Sequence, residues 1–319
     1  MKKLDCVRKV LAPSLKSFFL AAALALFWSG CATVPKNFPA VEEDDFNLLP
    51  SGGRLYLWAN IIEARTLIEN ISFDGFHLGE TASVLDRSVT AAAVFNSRES
   101  TERFFLALRG NYPTFQAGFS MTFSRAWKKL KSATGNSYWY SPIYGLGMAL
   151  GSTLALISGG DPFMSVPAGG TQVRLPEGFD EFRGGAAMAG WIPEPQETVN
   201  TFFTALGIPI QIPAEDFFFS VFQDIEEEEQ WELVFHIRTP SVNQARAVLT
   251  LFSLARVFIV NSPVQGISDQ TEITGITDFL PALFANLPHR EEANIRLRTA
   301  ALSTQDLSLL FEAFSIYSN

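Results

Sequence analysis

The chain is poor in cysteine, histidine and charge. Cysteine occurs only at Cys6 and Cys31, and histidine only at His77, His236 and His289. Two cysteines make no disulfide framework. A zinc site takes three or four ligands, mostly of these two types. The three histidines stand far apart in no paired spacing, so no metal centre is expected. Charged residues are 18% of the 319, below the roughly 25% of an ordinary globular chain. Basic residues are the scarcer kind: 24 Lys and Arg face 33 Asp and Glu, for a net charge of −9. Such an acidic chain is no general nucleic-acid binder, which needs a basic footprint. No G-x-S-x-G nucleophile elbow occurs. Gly145, Gly147 and Gly151 hint at a dinucleotide loop, but a strand rather than a helix is read after them. Residues 132–160 carry no charge, yet they contain six Gly and Pro142, which suits buried hairpin strands better than a membrane span. Neither a catalytic residue nor a cofactor is expected from these patterns.

What the chain has in quantity is apolar bulk. Hydrophobic residues reach 47%, and 29 are Phe. This excludes a disordered chain, a coiled coil or a collagen-like fibre. The length allows one large domain or two medium ones, each able to bury a core.

The N-terminus is read as an export signal. Lys2, Lys3, Arg8, Lys9 and Lys16 precede a twelve-residue apolar stretch at 17–28, which ends at Ser29-Gly30-Cys31. As a helix, that stretch spans about 18 Å, whereas the hydrocarbon core calls for about 20 residues. A basic start, a short apolar stretch and small residues at a break are the marks of a signal peptide. In these residues the chain resembles bacterial lipoprotein precursors. Ser29, Gly30 and Cys31 match the last three positions of their lipobox, and Trp28 stands where Leu is usual. The resemblance implies cleavage between Gly30 and Cys31 and lipidation of Cys31. Two or more acyl chains would then hold the protein on a membrane of the cell envelope, where one chain binds only marginally. Without residues 1–30, 19 basic and 32 acidic residues remain, a net charge of −13. Beyond Cys31 the chain resembles the uncharacterised conserved lipoproteins of spirochaetes, which implies neither an activity nor a set of site residues.

Residues 1–30 are predicted to be the signal, and 31–53 a flexible tether with three Pro and the acidic run Glu42 to Asp45. Two α+β modules follow, at 54–160 and 185–319, joined by a Gly/Pro-rich loop at 161–184. Strand–helix units recur. A strand at 54–59 leads to an Asn60-capped helix at 61–71, and a strand at 88–96 to a helix at 98–109 stopped by Gly110. A strand at 185–192 leads to a helix near 195–206. A strand at 231–238 is followed by a helix opened by Thr239-Pro240 and running toward Ile259. Ser303 and Asp306 form a capping box for a closing helix with an apolar stripe of Leu307, Leu310, Phe311 and Phe314. Hairpins are read at 148–157 and across Glu226 to Glu229. The fold class expected is α+β, with largely antiparallel sheets, helices packed on one face, and two diverged copies of one module as an option.

One stretch suits binding. Arg125, Lys128, Lys129 and Lys131 make a basic cluster, and Tyr138, Trp139, Tyr140 and Tyr144 follow. Rings beside cations suit headgroups, sugars or a protein partner. The competing reading is a helix face leading into a core strand. Three functions stay open at this point. The first is a lipid-anchored, non-enzymatic envelope protein that binds a lipid or an envelope partner, and the second a carrier of an apolar ligand. The third is an envelope hydrolase with dispersed residues.

Overall fold

The structure is a computed structural model. It describes residues 45–317 apart from 71, 74–75, 78–81, 96–103, 166–172, 206–210, 225–228 and 262–280. The signal segment, Cys31, the tether up to residue 44 and most of the Glu226 to Glu229 turn lie outside the described residues, as do the side chains of His77 and Phe314.

The chain forms an α+β fold built on one large antiparallel sheet. Its strands are β1 (Leu55–Asn60), β2 (Ser72–Phe73), β3 (Phe76–His77), β4 (Ser88–Phe95), β5 (Phe104–Gly110), β6 (Lys128–Lys131), β7 (Ser137–Ser141), β8 (Leu146–Leu150), β9 (Leu154–Ser158), β10 (Met188–Ile192), β11 (Asp216–Gln223), β12 (Gln230–Arg238), β13 (His289–Glu291), β14 (Asn294–Arg298) and β15 (Leu302–Ser303). The helices among the described residues are α1 (Ile61–Asn70), α2 (Ala82–Leu85), α3 (Thr114–Phe123), α4 (Pro162–Ser165), α5 (Phe179–Arg183), α6 (Pro195–Ala205), α7 (Val242–Asn261) and α8 (Thr304–Tyr317). The main sheet has 13 strands in the order β13-β14-β12-β11-β10-β1-β4-β5-β9-β8-β7-β6, with β15 added alongside β12. Strands β2 and β3 make a separate small pair.

The strands of the two expected modules meet at β1 and β10, which pair from Tyr56↔Trp191 to Ala59↔Met188. The sheet therefore runs unbroken past the Gly/Pro-rich connection.

Alternation along the strands sends side chains to two cores. The larger core lies under the long helices. Leu57, Leu106, Phe219 and Phe235 from the sheet pack there with Leu67 of α1, Val199 of α6, Phe252 of α7 and Phe311 of α8. The second core lies on the opposite face. Tyr56, Val94, Phe105, Leu156 and Phe218 are covered there by Phe46, Leu48, Leu49, Phe163 of α4 and Phe179 of α5. Strands in the middle of the sheet are thus buried on both faces, as in β9 and β10, where every residue is buried.

Several local expectations match the structure. The Asn60 side chain accepts the Ile62 N–H at 3.2 Å and starts α1. The capping box before α8 is present: the Asp306 N–H donates to Ser303 Oγ at 3.1 Å and the Ser303 N–H to Asp306 Oδ2 at 3.2 Å. The β8–β9 and β11–β12 hairpins stand where their turn residues place them.

Three expectations fail. The helix at 98–109 is not formed over its last turns, because Phe104–Gly110 is β5, paired with β4 from Phe95↔Phe104 to Ser88↔Gly110. Gly110 is no helix stop. A Cβ there would fall 1.9 Å from the Arg87 carbonyl oxygen, so glycine lets two backbones approach. The helix after β12 begins at Val242 rather than at Pro240, and its cap is Ser241, whose Oγ accepts the Gln244 N–H at 3.3 Å. The tether does not extend to residue 53. Phe46 and Leu49 are 0% exposed. Asp45 pairs with Arg109 and accepts the Thr90 hydroxyl at 2.9 Å. Far from lying in a solvated linker, this acid fastens the start of the folded body to β4 and β5.

Candidate functional site

The basic stretch forms one edge of the sheet. Residues 128–131 are β6, the last strand in the order, and all four are exposed. Three lysines on an edge strand have a structural use of their own, since charge there discourages pairing with another chain. Strand β6 pairs with β7 in the register Lys128↔Tyr140, Lys129↔Trp139, Leu130↔Tyr138. The Lys129 ammonium sits 5.7 Å from the centre of the Trp139 ring, a cation–π contact. Tyr138 is 9% exposed and belongs to the second core, so it is withdrawn from the surface expected to bind. Trp139 and Tyr140 are half-buried and pack against opposite cores. Arg125 is exposed at the head of β6.

The sequence reading missed the neighbour of this edge, helix α3. Its residues, TFQAGFSMTF, carry no charge. Met121 is its buried anchor, and Ala117 packs on the larger core. On the outer side, Phe115, Phe119 and Phe123 recur every fourth residue and so share one face. Their rings follow one another at 6.3 Å and 4.6 Å between centres. Phe119 is 49% exposed and Phe123 73%. The helix ends at Phe123 and is capped by Ser124, whose N–H donates to the carbonyls of Ser120 and Met121. The chain then turns through Arg125 into β6. Further apolar groups lie exposed beside it: Leu130 on β6, and Ile143 and Tyr144 in the β7–β8 turn. Trp127 and Tyr144 meet there at 6.3 Å. Lys129 and Lys131 alternate to the sheet face that α3 covers, Lys128 and Leu130 to the other. The result is a rail of Phe rings beside an edge strand whose Lys129 and Lys131 share its face of the sheet, on a chain whose net charge is −9.

Among the described residues, no group of three or more His, Cys, Asp or Glu is placed to hold a metal ion. His289 lies on exposed β13, and His236 packs between Phe182 and Phe218 at 5.6 Å from each. Burial lowers the His236 pKa, helped by the nearby Arg296 and Arg238. Gly147 and Gly151 sit at hairpin β8–β9, with no helix after them. A Cβ on Gly147 would fall 1.6 Å from the Gly160 carbonyl oxygen, so this glycine serves a close backbone approach. Among the described residues, no helix is long and apolar enough to cross a membrane.

The chain shares its fold with TP0453, a Treponema (spirochaete) protein. Crystal form I of TP0453 matches with a TM-score of 0.58 at 16% identity, over 86% of this chain and 100% of that one. Crystal form III gives 0.54 at 13% identity, over 86% and 100%. Crystal form IV gives 0.52 at 13% identity, over 84% and 96%. No family model matches the chain, and no curated protein matches it. At these identities the likeness establishes the architecture alone.

Proposed function

We propose that the chain is a lipid-anchored protein of the cell envelope, held through Cys31, whose body binds rather than catalyses, with α3 and β6 as the docking face for an anionic membrane surface. The Ser29-Gly30-Cys31 pattern supports the anchor, and the architecture is shared with the spirochaete protein TP0453. The observation that carries the docking face is the uncharged α3, with Phe119 and Phe123 exposed next to Arg125 and to the edge strand whose Lys129 and Lys131 share its face of the sheet. Aromatic rings enter the headgroup boundary while cations meet anionic lipid, each worth about 1 kcal/mol near such a surface. Cys31 fixes the protein to the bilayer, and the α3 face sets how the body lies on it.

Two measurements test this reading. Intact mass and detergent partition of protein made in a lipoprotein-competent host should show an acylated N-terminus at Cys31 that Cys31→Ser loses. Equal masses and equal partition for both proteins would sink the anchor. Flotation of the Cys31→Ser chain with vesicles isolates the second contact. It should bind phosphatidylglycerol vesicles and not phosphatidylcholine ones. A further Phe119→Ser/Phe123→Ser or Lys129→Glu/Lys131→Glu change should abolish that binding. Flotation unchanged by either pair would refute the docking face and leave the anchor standing.

A further inference from the structure

A cleft of about 280 Å³ lies away from the α3 face, where the Ser51–Arg54 loop, Val173–Arg174 and the start of α6 meet over β1 and β10. Its floor is Tyr56 and Trp191, cross-strand partners whose rings stack at 5.1 Å and 21°. The Tyr56 hydroxyl is fully used: it accepts the Gly53 N–H at 2.9 Å and donates to the Pro50 carbonyl at 3.1 Å. Those bonds hold the loop that forms one wall. Gly53 is needed for this closeness, because a Cβ there would fall 2.1 Å from Val94 Cγ2.

Trp191 differs from Tyr56. It is 9% exposed, and among the described residues its buried indole N–H has no hydrogen-bond acceptor. Folded proteins leave few buried donors unmatched, and an orphan on a cleft-lining ring is a place for a ligand oxygen. The rim carries Arg54, Arg174, Glu194 and Glu197, all exposed. Arg54 and Glu194 already take part in other interactions. Among the described residues, Arg174 and Glu197 have no ion pair, and they bring opposite charges to one small opening.

We propose that this cleft binds a small zwitterion with a free carboxylate and a free ammonium, of the size of an amino acid or dipeptide. Arg174 takes the carboxylate, the Trp191 N–H donates to a carboxylate or carbonyl oxygen, and Glu197 takes the ammonium. The volume lies just under the roughly 300–1,000 Å³ of ordinary ligand sites, which sets the small size. A sugar ring stacked on the aromatics does not fit, because Tyr56 is 2% and Trp191 9% exposed and neither offers an open face. This inference is independent of the docking face and of the lipid anchor.

The test uses the full-length chain in detergent, with ¹⁵N in its tryptophan side chains and the Trp191 resonance assigned from Trp191→Phe. L-Alanyl-L-alanine is the probe. The Trp191 indole N–H signal should move in a saturable way. N-acetylation or C-amidation of the dipeptide should each weaken binding about tenfold or more, as expected for one lost charge-assisted hydrogen bond. Arg174→Gln should erase the preference for a free carboxylate, and Glu197→Gln that for a free ammonium. Both side chains are exposed, so the fold is kept. An unmoved Trp191 signal at millimolar dipeptide would overturn the proposal. So would capped peptides binding as tightly as the free one, or variants that keep both preferences.

Discussion

Phe46→Ala tests where the folded body begins. Phe46 is 0% exposed in the second core. Its ring meets Phe179 edge-on at 5.6 Å, and the Arg183 guanidinium lies 5.8 Å from its centre. Truncating a buried Phe costs about 3–5 kcal/mol. The lost edge-to-face contact, worth about 0.5–1.5 kcal/mol in such pairs, places the expected loss in the upper half of that range. A domain is stable by about 5–15 kcal/mol in all, so this is a large share. Urea unfolding followed by far-ultraviolet circular dichroism should show a lower midpoint with an unchanged slope. The melting temperature should drop by roughly 10 °C, at a few degrees per kcal/mol for a chain of this size. Phe123→Ala is the control: at 73% exposure it should stay within about 0.5 kcal/mol of the parent. A Phe46→Ala protein within about 1 kcal/mol of the parent would refute the reasoning and return residues 45–49 to the tether.

Two pH effects follow from one buried and one half-buried titratable group. The Tyr112 hydroxyl lies 2.8 Å from Ser88 Oγ, and burial pushes its pKa up to about 12. The fold thus prefers the neutral phenol. Its contribution is complete below the unfolded value near 10 and is lost as pH rises through about 12, to the extent of about 3 kcal/mol. Tyr112→Phe should flatten the alkaline decline of the urea midpoint, and parallel declines in both proteins would disprove the assignment. His236 has the opposite sense, since burial and then Arg296 and Arg238 lower its pKa, against the weaker pull of Asp216 and Glu291. The fold prefers neutral imidazole, so stability is present above about 6.5 and falls as pH drops through the lowered folded value. His236→Gln should lose less stability than the parent between pH 7.5 and pH 5, and an identical loss would rule the histidine out as the cause.

Signals that carry their own local chemistry are legible in the sequence. Asn60, Ser303 and Asp306 cap the helices that follow them, because a capping side chain answers to backbone groups within three residues of it. The alternation of Trp231, Leu233, Phe235 and Ile237 places β12, since one face of that strand meets the helices and the other stays half-open. Strand β5 escapes the sequence for the converse reason. Phe104 to Leu108 is an unbroken apolar run, which periodicity alone cannot tell from a buried helix. The run is continuous because Phe105 and Ala107 enter one core while Leu106 and Leu108 enter the other. Likewise, Pro and acids at 32–53 suggest a linker throughout, yet Phe46, Leu48 and Leu49 have a core to enter once β4 and β5 pair. Partners distant in sequence decide such cases, as Asp45 with Arg109 shows.

The proposed docking face is half legible for a related reason. Lysines next to tyrosines and a tryptophan stand out as composition, but the β6–β7 register turns Tyr138 inward and leaves Lys128 to Lys131 on the rim. The stronger signal is Phe115, Phe119 and Phe123 at fourth-residue spacing, in a stretch where no element is expected. Sheet protection accounts for the lysines of β6, since an edge strand needs charge to stay unpaired. It does not account for α3. A helix that only shielded the larger core would turn Phe119 and Phe123 toward Met121 and Ala117, and would carry polar side chains outward. Instead it anchors through Met121 and presents its largest rings to the outside, with Ser120 and Thr122 beside them and no charge of its own. Two exposed rings beside a cationic edge suit the proposed partner, a surface that is apolar beneath and anionic at its boundary. An anionic bilayer meets both demands at once.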